Sequence, residues 1–254
     1  MQRPPSGKWL PLAPTSPIHD IINRVSGKQA ELTKLALPAE RQTALRAFVD
    51  RAFAVSALGL TGLDVSEEQI HALQKEMAIK APAPSGLERK GHAALASIQV
   101  LQSALDRGAP LTPDLLARIH DPFSTTVSPE DQMTASGSTG GDPGRAAGRI
   151  AAFCQWAAAE SFQELNPLEQ AAIMILRLLE IRPFLEGNVA AAIGAGSLST
   201  MRAGWPPIII SKALRPRFNP AVGEGLKMNT RPLVDLLAES LYETLDSMLT
   251  FAKR

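Results

Sequence analysis

Two apolar helical segments, at about 167–181 and 189–203, enclose a short polar interruption in the second half of the chain. Asn166 and Pro167 supply a helix cap and a first-turn proline before a helix that is apolar on most of its sides. The second segment is rich in alanine and glycine, which lets it approach the first closely. The sequence therefore predicts a central pair of tightly packed helices within a bundle.

The interruption, which we call the central loop, covers residues 182–188. Gly187 and Asn188 stand where the second helix begins, so backbone N–H groups and the positive end of the helix dipole face the loop. The candidates for binding an anion or a nucleotide are Arg182, Gly187, Asn188 and Val189, and Glu186 is a candidate metal ligand. The same residues also suit a plain helix–helix turn, in which Gly187 gives backbone freedom and Asn188 a cap. The residues alone favour this second interpretation.

Most of the remaining chain also carries helical signals. Apolar residues recur at helical spacing, and Ser66 with Gln69 forms a capping-box pattern. Residues 124–148 differ, since Ser, Thr, Gly and Pro dominate there, and they are predicted to form a long loop. The predicted helices cover about 39–58, 66–79, 87–106 (after a Pro/Gly break at 81–86), 112–121 and, at the C-terminal end, residues from about 232. The fold class predicted is all-α.

The length of 254 residues suits one compact unit. We divide the chain into an extended proline-rich segment, 1–17, an N-terminal helical part, 18–110, and a core part, 111–254. The last two are expected to form one unit.

Composition excludes several classes of function. The net charge is +1, so nucleic acid is not expected as a partner. Cys154 is the only cysteine, which rules out a disulfide framework and a cysteine-based zinc site. No apolar run of membrane-spanning length and no signal-peptide pattern is present, so we expect a cytoplasmic protein without membrane contact. A protein partner and a homo-oligomer both stay open.

The central loop resembles the signature of the Fic family, H-P-F-x-[D/E]-G-N-G-R-x-x-R. Residues 182–193 read R-P-F-L-E-G-N-V-A-A-A-I, and the matching positions are Pro183, Phe184, Glu186, Gly187 and Asn188. The preceding helix, the Gly-Trp-Pro-Pro segment at 204–207 and the helix ending at His120 resemble the family as well, so the resemblance spans roughly 40–250. It implies a Fic-like helical bundle with a central helix–loop–helix. The family's activity is AMP transfer from Mg-ATP to protein hydroxyl groups.

Four positions depart from the signature. Arg182 replaces the family histidine that acts as general base, and an arginine cannot accept a proton at working pH. Val189 replaces the second glycine, and its β-branched side chain crowds an approaching phosphate. Ala190 and Ile193 replace the two arginines that grip the phosphates. Mg²⁺ and ATP are therefore expected only if the site is active in spite of these changes.

Two further family elements look degraded. The inhibitory helix motif, [S/T]-x-x-x-E-[G/N], corresponds to residues 57–62, where Ala57 and Thr61 replace the serine and the glutamate. The β-hairpin flap is expected between about 135 and 152, and no alternating strand pattern occurs there, so we predict that it is short or absent. His120 is the one histidine whose segment could fold near the loop, and we interpret it as a structural histidine at a helix end.

Two hypotheses follow. The first is a Fic-fold protein without AMP-transfer activity that acts as a binding or regulatory pseudoenzyme. The alternative is a divergent enzyme that transfers a nucleotide or another phosphate-containing group and uses Arg182 as an anion ligand. Four losses favour the first hypothesis: the general base, the phosphate-gripping arginines, the inhibitory glutamate and the flap.

Overall fold

The computed structural model describes residues 18–78, 86–121 and 143–254. Eleven helices and no strand occur in these ranges. They are α1 (Ile18–Lys34), α2 (Ala39–Leu60), α3 (Glu67–Ala78), α4 (Gly86–Asp106), α5 (Pro113–His120), α6 (Pro143–Ala157), α7 (Glu160–Gln163), α8 (Pro167–Ile181), α9 (Asn188–Arg202), α10 (Arg215–Leu226) and α11 (Arg231–Lys253). The predicted all-α fold is confirmed.

Local capping chemistry sets several of these boundaries as the sequence predicted. Helix α8 begins with a capping box in which Asn166 accepts from the Leu168 N–H at 2.9 Å and Glu169 accepts from the Asn166 N–H at 3.3 Å. Ser66 and Gln69 form the same reciprocal pair at the start of α3. The predicted break at 81–86 lies outside the described residues except for Gly86, where α4 begins.

One predicted boundary is wrong. The sequence placed a loop through residue 148, but α6 already begins at Pro143, which is a favoured first residue of a helix. Glycine, alanine and arginine make up residues 144–149, so no apolar periodicity marked them as helical. The helix also occupies 143–152, the second half of the region predicted for the flap. The remainder of that region, and the extended segment predicted at 1–17, lie outside the described residues.

The centre of the molecule is the predicted helix pair, α8 against α9. Glycines on α9 allow the close approach. A Cβ added at Gly196 would lie 2.9 Å from Cγ1 of Ile175 and 3.2 Å from the carbonyl oxygen of Ala171, both on α8. Any larger residue there would push the helices apart, so the alanine- and glycine-rich sequence of α9 is a packing requirement.

The other helices surround this pair. Helix α11 packs against α1, α8 and α10, and α2 packs against α4 and α9. One hydrophobic cluster joins Val25 of α1 and Phe53 of α2 to the buried residues of α8, α9 and α11. The boundary between the N-terminal helical part, 18–110, and the core part, 111–254, stays a prediction. Among the described residues, no helix is both long enough and apolar enough to cross a membrane.

Candidate functional site: the central loop

Two left-handed residues define the path of the central loop. Arg182 has φ 49° and Gly187 has φ 72°. Arg182 ends α8, and its backbone N–H donates to the carbonyl of Leu178 at 2.8 Å. Gly187 is the residue before α9, and only glycine adopts its conformation without cost. The loop therefore makes two sharp turns within seven residues and brings α8 and α9 side by side.

The side chain of Asn188 closes this loop on itself. Its Oδ1 accepts from the Phe184 N–H at 3.0 Å, and its Nδ2 donates to the Phe184 carbonyl at 2.7 Å. Both ends of the amide are thus used to hold Phe184, whose ring is 2% exposed. Asn188, a predicted anion ligand, is placed in the loop with its side chain committed to the loop backbone.

His120, at the end of α5, supports the loop from a second side. Its Nε2 donates to the backbone carbonyl of Glu186 at 2.8 Å, and its ring stacks on Phe184 with centroids 3.6 Å apart. The side chain is 1% exposed, and this burial lowers the pKa of His120 from its ordinary value, although the bond to the Glu186 carbonyl opposes the shift. A neutral imidazole with the proton on Nε2 is the form that fits this contact.

The interpretation of His120 as structural agrees with this geometry, but the sequence did not identify the loop as what it supports. One signal was available. Leu116, Ile119 and His120 lie on one face of α5 because the last two follow Leu116 by three and four residues, and that face is buried. A histidine on such a face needs a hydrogen-bond partner inside the protein.

The start of α9 has the properties of an anion site but not of a full phosphate site. Gly187 provides no side-chain cap and the first turn of α9 holds no acidic residue. However, the residues at the positions of the two family arginines face the interior: Ala190 is 2% exposed and Ile193 is fully buried. Val189 is half-buried and packs against the same core. The positive end of the α9 dipole is therefore the main attraction for an anion here.

Metal binding has little support among the described residues. Glu186, the candidate ligand, has an exposed side chain, and its backbone carbonyl accepts from His120. No group of three or more His, Cys, Asp or Glu residues that could hold a metal ion occurs in the parts of the chain the structure describes. A single carboxylate is a weak Mg²⁺ site unless substrate phosphates complete the coordination.

The segment matched to the family's inhibitory motif ends α2. Ala57 is buried in the main core, and the hydroxyl of Thr61 donates to the Leu58 carbonyl at 2.7 Å. The next residue, Gly62, has φ 86°, which explains the retained glycine as a helix-ending residue. Gly59 leaves room for Arg215, whose guanidinium carbon would lie 2.0 Å from an added Cβ. This segment now serves packing and helix termination.

Known proteins resemble the chain in sequence and in fold. No family model matches it. Over 129 residues, 51% of this chain, it is 30% identical to the Fic protein adenylyltransferases of Drosophila erecta and Drosophila willistoni, and it covers 26% of each. Fic-1 from Caenorhabditis elegans (residues 134–508) superposes with a TM-score of 0.72 at 19% identity, covering 92% of this chain and 71% of that one. A Fic domain containing signaling protein from Bacteroides thetaiotaomicron gives 0.71 at 18% identity, covering 94% and 98%.

The architecture is therefore an all-helical Fic fold built around the central helix–loop–helix. The resemblance to the Fic family that the sequence predicted is confirmed in the fold and, over about half of the chain, in the sequence. It spans about a quarter of the length of the curated relatives it matches.

Proposed function

We propose that this protein is a Fic-fold pseudoenzyme, which keeps the scaffold for binding and has lost AMP transfer. The burial of Ile193, at the position of a phosphate-gripping arginine, carries the proposal. A fully buried isoleucine cannot contact a solvent-borne phosphate, and Ala190 offers only a methyl group. Each charge-assisted contact that is lost is worth about 1.5–3 kcal/mol.

The residue at the position of the general base supports the same conclusion. Arg182 ends α8 with an exposed side chain. A guanidinium group has only donors and no acceptor, so it can attract an anion but cannot remove a proton from a target hydroxyl. His120, the nearest described histidine to the loop, is buried and bonded to the Glu186 carbonyl, where it holds the loop. ATP and Mg²⁺ therefore do not fit this loop as substrate and cofactor.

The exposed part of the loop suggests what the scaffold could bind. Leu185 is 50% exposed at its tip, between Phe184 and Glu186. The bonds from Asn188 and the contact with His120 keep the backbone around it in one shape. A preorganised apolar tip loses little conformational freedom on docking, so we propose a protein partner that covers Leu185.

A nucleotide titration tests the loss of AMP transfer. With 1 mM Mg-ATP we expect no change in the unfolding midpoint and no calorimetric signal. A dissociation constant of about 10 µM would instead stabilise the protein by about 2.7 kcal/mol, which is several degrees for a chain of this size. A clear shift of that kind overturns the proposal. Inorganic phosphate in a parallel titration separates simple anion attraction at α9 from nucleotide recognition.

The alternative is a divergent transferase that uses Arg182 as an anion ligand. The uncapped first turn of α9 and the exposed Arg182 side chain favour it. Incubation with a panel of nucleotide and phosphate-containing donors, followed by intact-protein mass spectrometry and product analysis, tests it. Turnover or a mass increase that Arg182→Gln abolishes would establish this alternative. The cytoplasmic location stays a prediction of the sequence.

A further inference from the structure

A cavity of about 290 Å³ lies where α1, α2, α4 and α11 meet the end of α9 and the segment that follows it. None of its lining residues belongs to the central loop. Its apolar lining includes Val49, Ile98, Met201, Trp205 and Met248. The cavity is therefore a feature separate from the candidate site. Trp205 lines it and is half-buried.

A buried carboxylate lies in this mainly apolar surface. Asp50 is 8% exposed, and its Oδ1 accepts from Nε2 of Gln102 at 2.8 Å. This is the one hydrogen bond that the described residues give the carboxylate. Burial raises the pKa of Asp50 to about 6, so the group still carries its charge at neutral pH. A charged carboxylate with a single bond is costly in such surroundings, and it calls for a further donor.

A second acceptor group in the cavity also lacks a hydrogen-bond donor. Gln29 lines the cavity from α1, and its amide Oε1 is buried without a hydrogen-bond partner. Two acceptor groups, one of them charged, thus contribute to one small cavity. A ligand that carries several N–H donors and a positive charge would satisfy both.

Burial dominates the raised pKa of Asp50; the positive charges of Arg46 and Arg51 oppose that rise, but neither side chain forms a hydrogen bond or an ion pair with the carboxylate among the described residues. Arg46, one turn earlier on α2, lines the cavity and is exposed, and no ion pair between it and Asp50 forms among the described residues. Arg51, also on α2, donates to Gln74 at 3.0 Å, and Asp106 on α4 is exposed. The lining residues contributed by α1, α11 and 201–207 are uncharged. The charge of Asp50 is therefore open to a cation from outside.

We propose that this cavity binds an organic cation, with a primary ammonium or guanidinium group at Asp50 and an apolar stem against Trp205. The carboxylate accepts a charge-assisted hydrogen bond from the cation, and the indole of Trp205 offers an apolar face to the stem. Met201 and Met248 offer adaptable apolar surface to the stem. The volume is at the small end for ligand sites, which suits a ligand the size of one side chain.

The same chemistry has two possible sources, a lysine or arginine side chain of a partner protein and a free aliphatic amine. Nα-acetyl-lysine methylamide represents the first, and 1,4-diaminobutane represents the second. Tighter binding of one probe than the other identifies the source. n-Butanol and butyrate are the neutral and anionic controls of similar length.

Calorimetric titration of the full chain at pH 8 tests the proposal. We expect a dissociation constant of about 1 mM or lower for at least one cationic probe, and binding at least about tenfold weaker for n-butanol and butyrate. Asp50→Asn should weaken cation binding about ten- to hundredfold while keeping an acceptor for Gln102. Asp106→Asn, which removes a carboxylate from the rim of the same cavity, is the matched control and should have little effect.

The wild-type protein supplies a second test that needs no variant. Asp50 is protonated at pH 5 and the probes remain cationic, so their binding should weaken about tenfold between pH 8 and pH 5. Cationic and neutral probes that bind equally, or cation binding that survives both pH 5 and Asp50→Asn, would overturn the proposal. Absence of binding up to about 50 mM of either cation would overturn it as well.

Discussion

The imidazole of His120 lies flat against the phenyl ring of Phe184, with ring centroids 3.6 Å apart and planes 3° apart. The same imidazole donates to the backbone carbonyl of Glu186, which lies 66 residues later in the chain. Helix α5 thus fixes the central loop through one stacking contact and one hydrogen bond. These contacts hold the loop in its shape, although residues 182, 189, 190 and 193 differ from the family signature.

Substitutions at His120 should separate the contribution of its stacking on Phe184 to stability from that of its hydrogen bond to the Glu186 carbonyl. His120→Phe keeps a flat ring over Phe184 and removes the donor, so we expect a loss of about 1–2 kcal/mol in the free energy of unfolding. His120→Ala removes both contacts and leaves a cavity, and should lose about 2–4 kcal/mol. Urea denaturation measures both values. A His120→Phe protein as stable as the wild type would contradict a supporting role for the bond to Glu186.

The stability of the protein should fall in mild acid because of His120. Burial lowers the pKa of this histidine in the folded state, whereas the unfolded chain has the ordinary value of about 6.5. The unfolded state therefore takes up the proton first, and stability that is present above about pH 6.5 is lost as the pH falls below it. Urea midpoints of wild type and His120→Phe between pH 8 and pH 5.5 measure this. If the urea midpoints of the two proteins depended equally on pH, the prediction would be contradicted.

Asp50 should change the stability of the protein with pH in the direction opposite to His120. Its pKa is about 6 in the folded protein, raised by burial from 3.8, so the folded state holds the proton more tightly. Stability from this group is highest below about pH 4 and is lost as the pH rises through about 6. Asp50→Asn cannot ionise and should be more stable than wild type at pH 8 by up to about 2 kcal/mol, with the difference vanishing near pH 4. Thermal unfolding at both pH values checks this, and Asp106→Asn, which removes an exposed carboxylate from the same cavity, is the control variant.

Helix boundaries were predictable where capping chemistry is local. Asn166, Ser66 and Thr112 each satisfy a first-turn N–H within three residues, and the structure has α8, α3 and α5 starting beside them. The first six residues of α6, 143–148, were predicted as loop because glycine, alanine and arginine give them no apolar pattern. Its stability comes from packing against α5 and α8, which no local pattern encodes.

The candidate loop was found from its own residues, but its surroundings were not. The contact between His120 and the loop depends on where α5 ends in space. The burial of Ala190 and Ile193 likewise follows from the close packing of α9 against α8, and the sequence indicated only that these positions had lost their arginines. Tertiary packing decides which side of a helix faces the ligand.

Gly196 should be intolerant of alanine. The added Cβ would meet Ile175 on α8 at 2.9 Å, and α9 would have to move away from α8, so we expect a loss of about 1–3 kcal/mol. Gly223, inside α10, has nothing within 4 Å of an added Cβ, and Gly223→Ala should stabilise the protein by about 0.5–1 kcal/mol through helix propensity. Urea denaturation compares them. A Gly196→Ala protein that is stabilised like Gly223→Ala would contradict the close approach of α8 and α9.

The proposed loss of AMP transfer predicts that Arg182→His gains no such activity. Arg182 has a left-handed backbone, which histidine adopts more readily than most residues, so Arg182→His should fold with nearly unchanged stability. We expect no transfer from Mg-ATP by this variant, because Ala190 and Ile193 give the phosphates no charged contact. Each such contact contributes about ten- to hundredfold in binding.

The measurement is intact-protein mass spectrometry after incubation with Mg-ATP and a hydroxyl-bearing test protein. Arg182→Gln is the matched control, since it removes the same charge and supplies no base. Equal, unmodified masses for both variants are expected. An AMP adduct formed by Arg182→His and not by Arg182→Gln would mean that other residues bind the phosphates and that only the base is missing, in which case the protein is an enzyme one substitution away from activity.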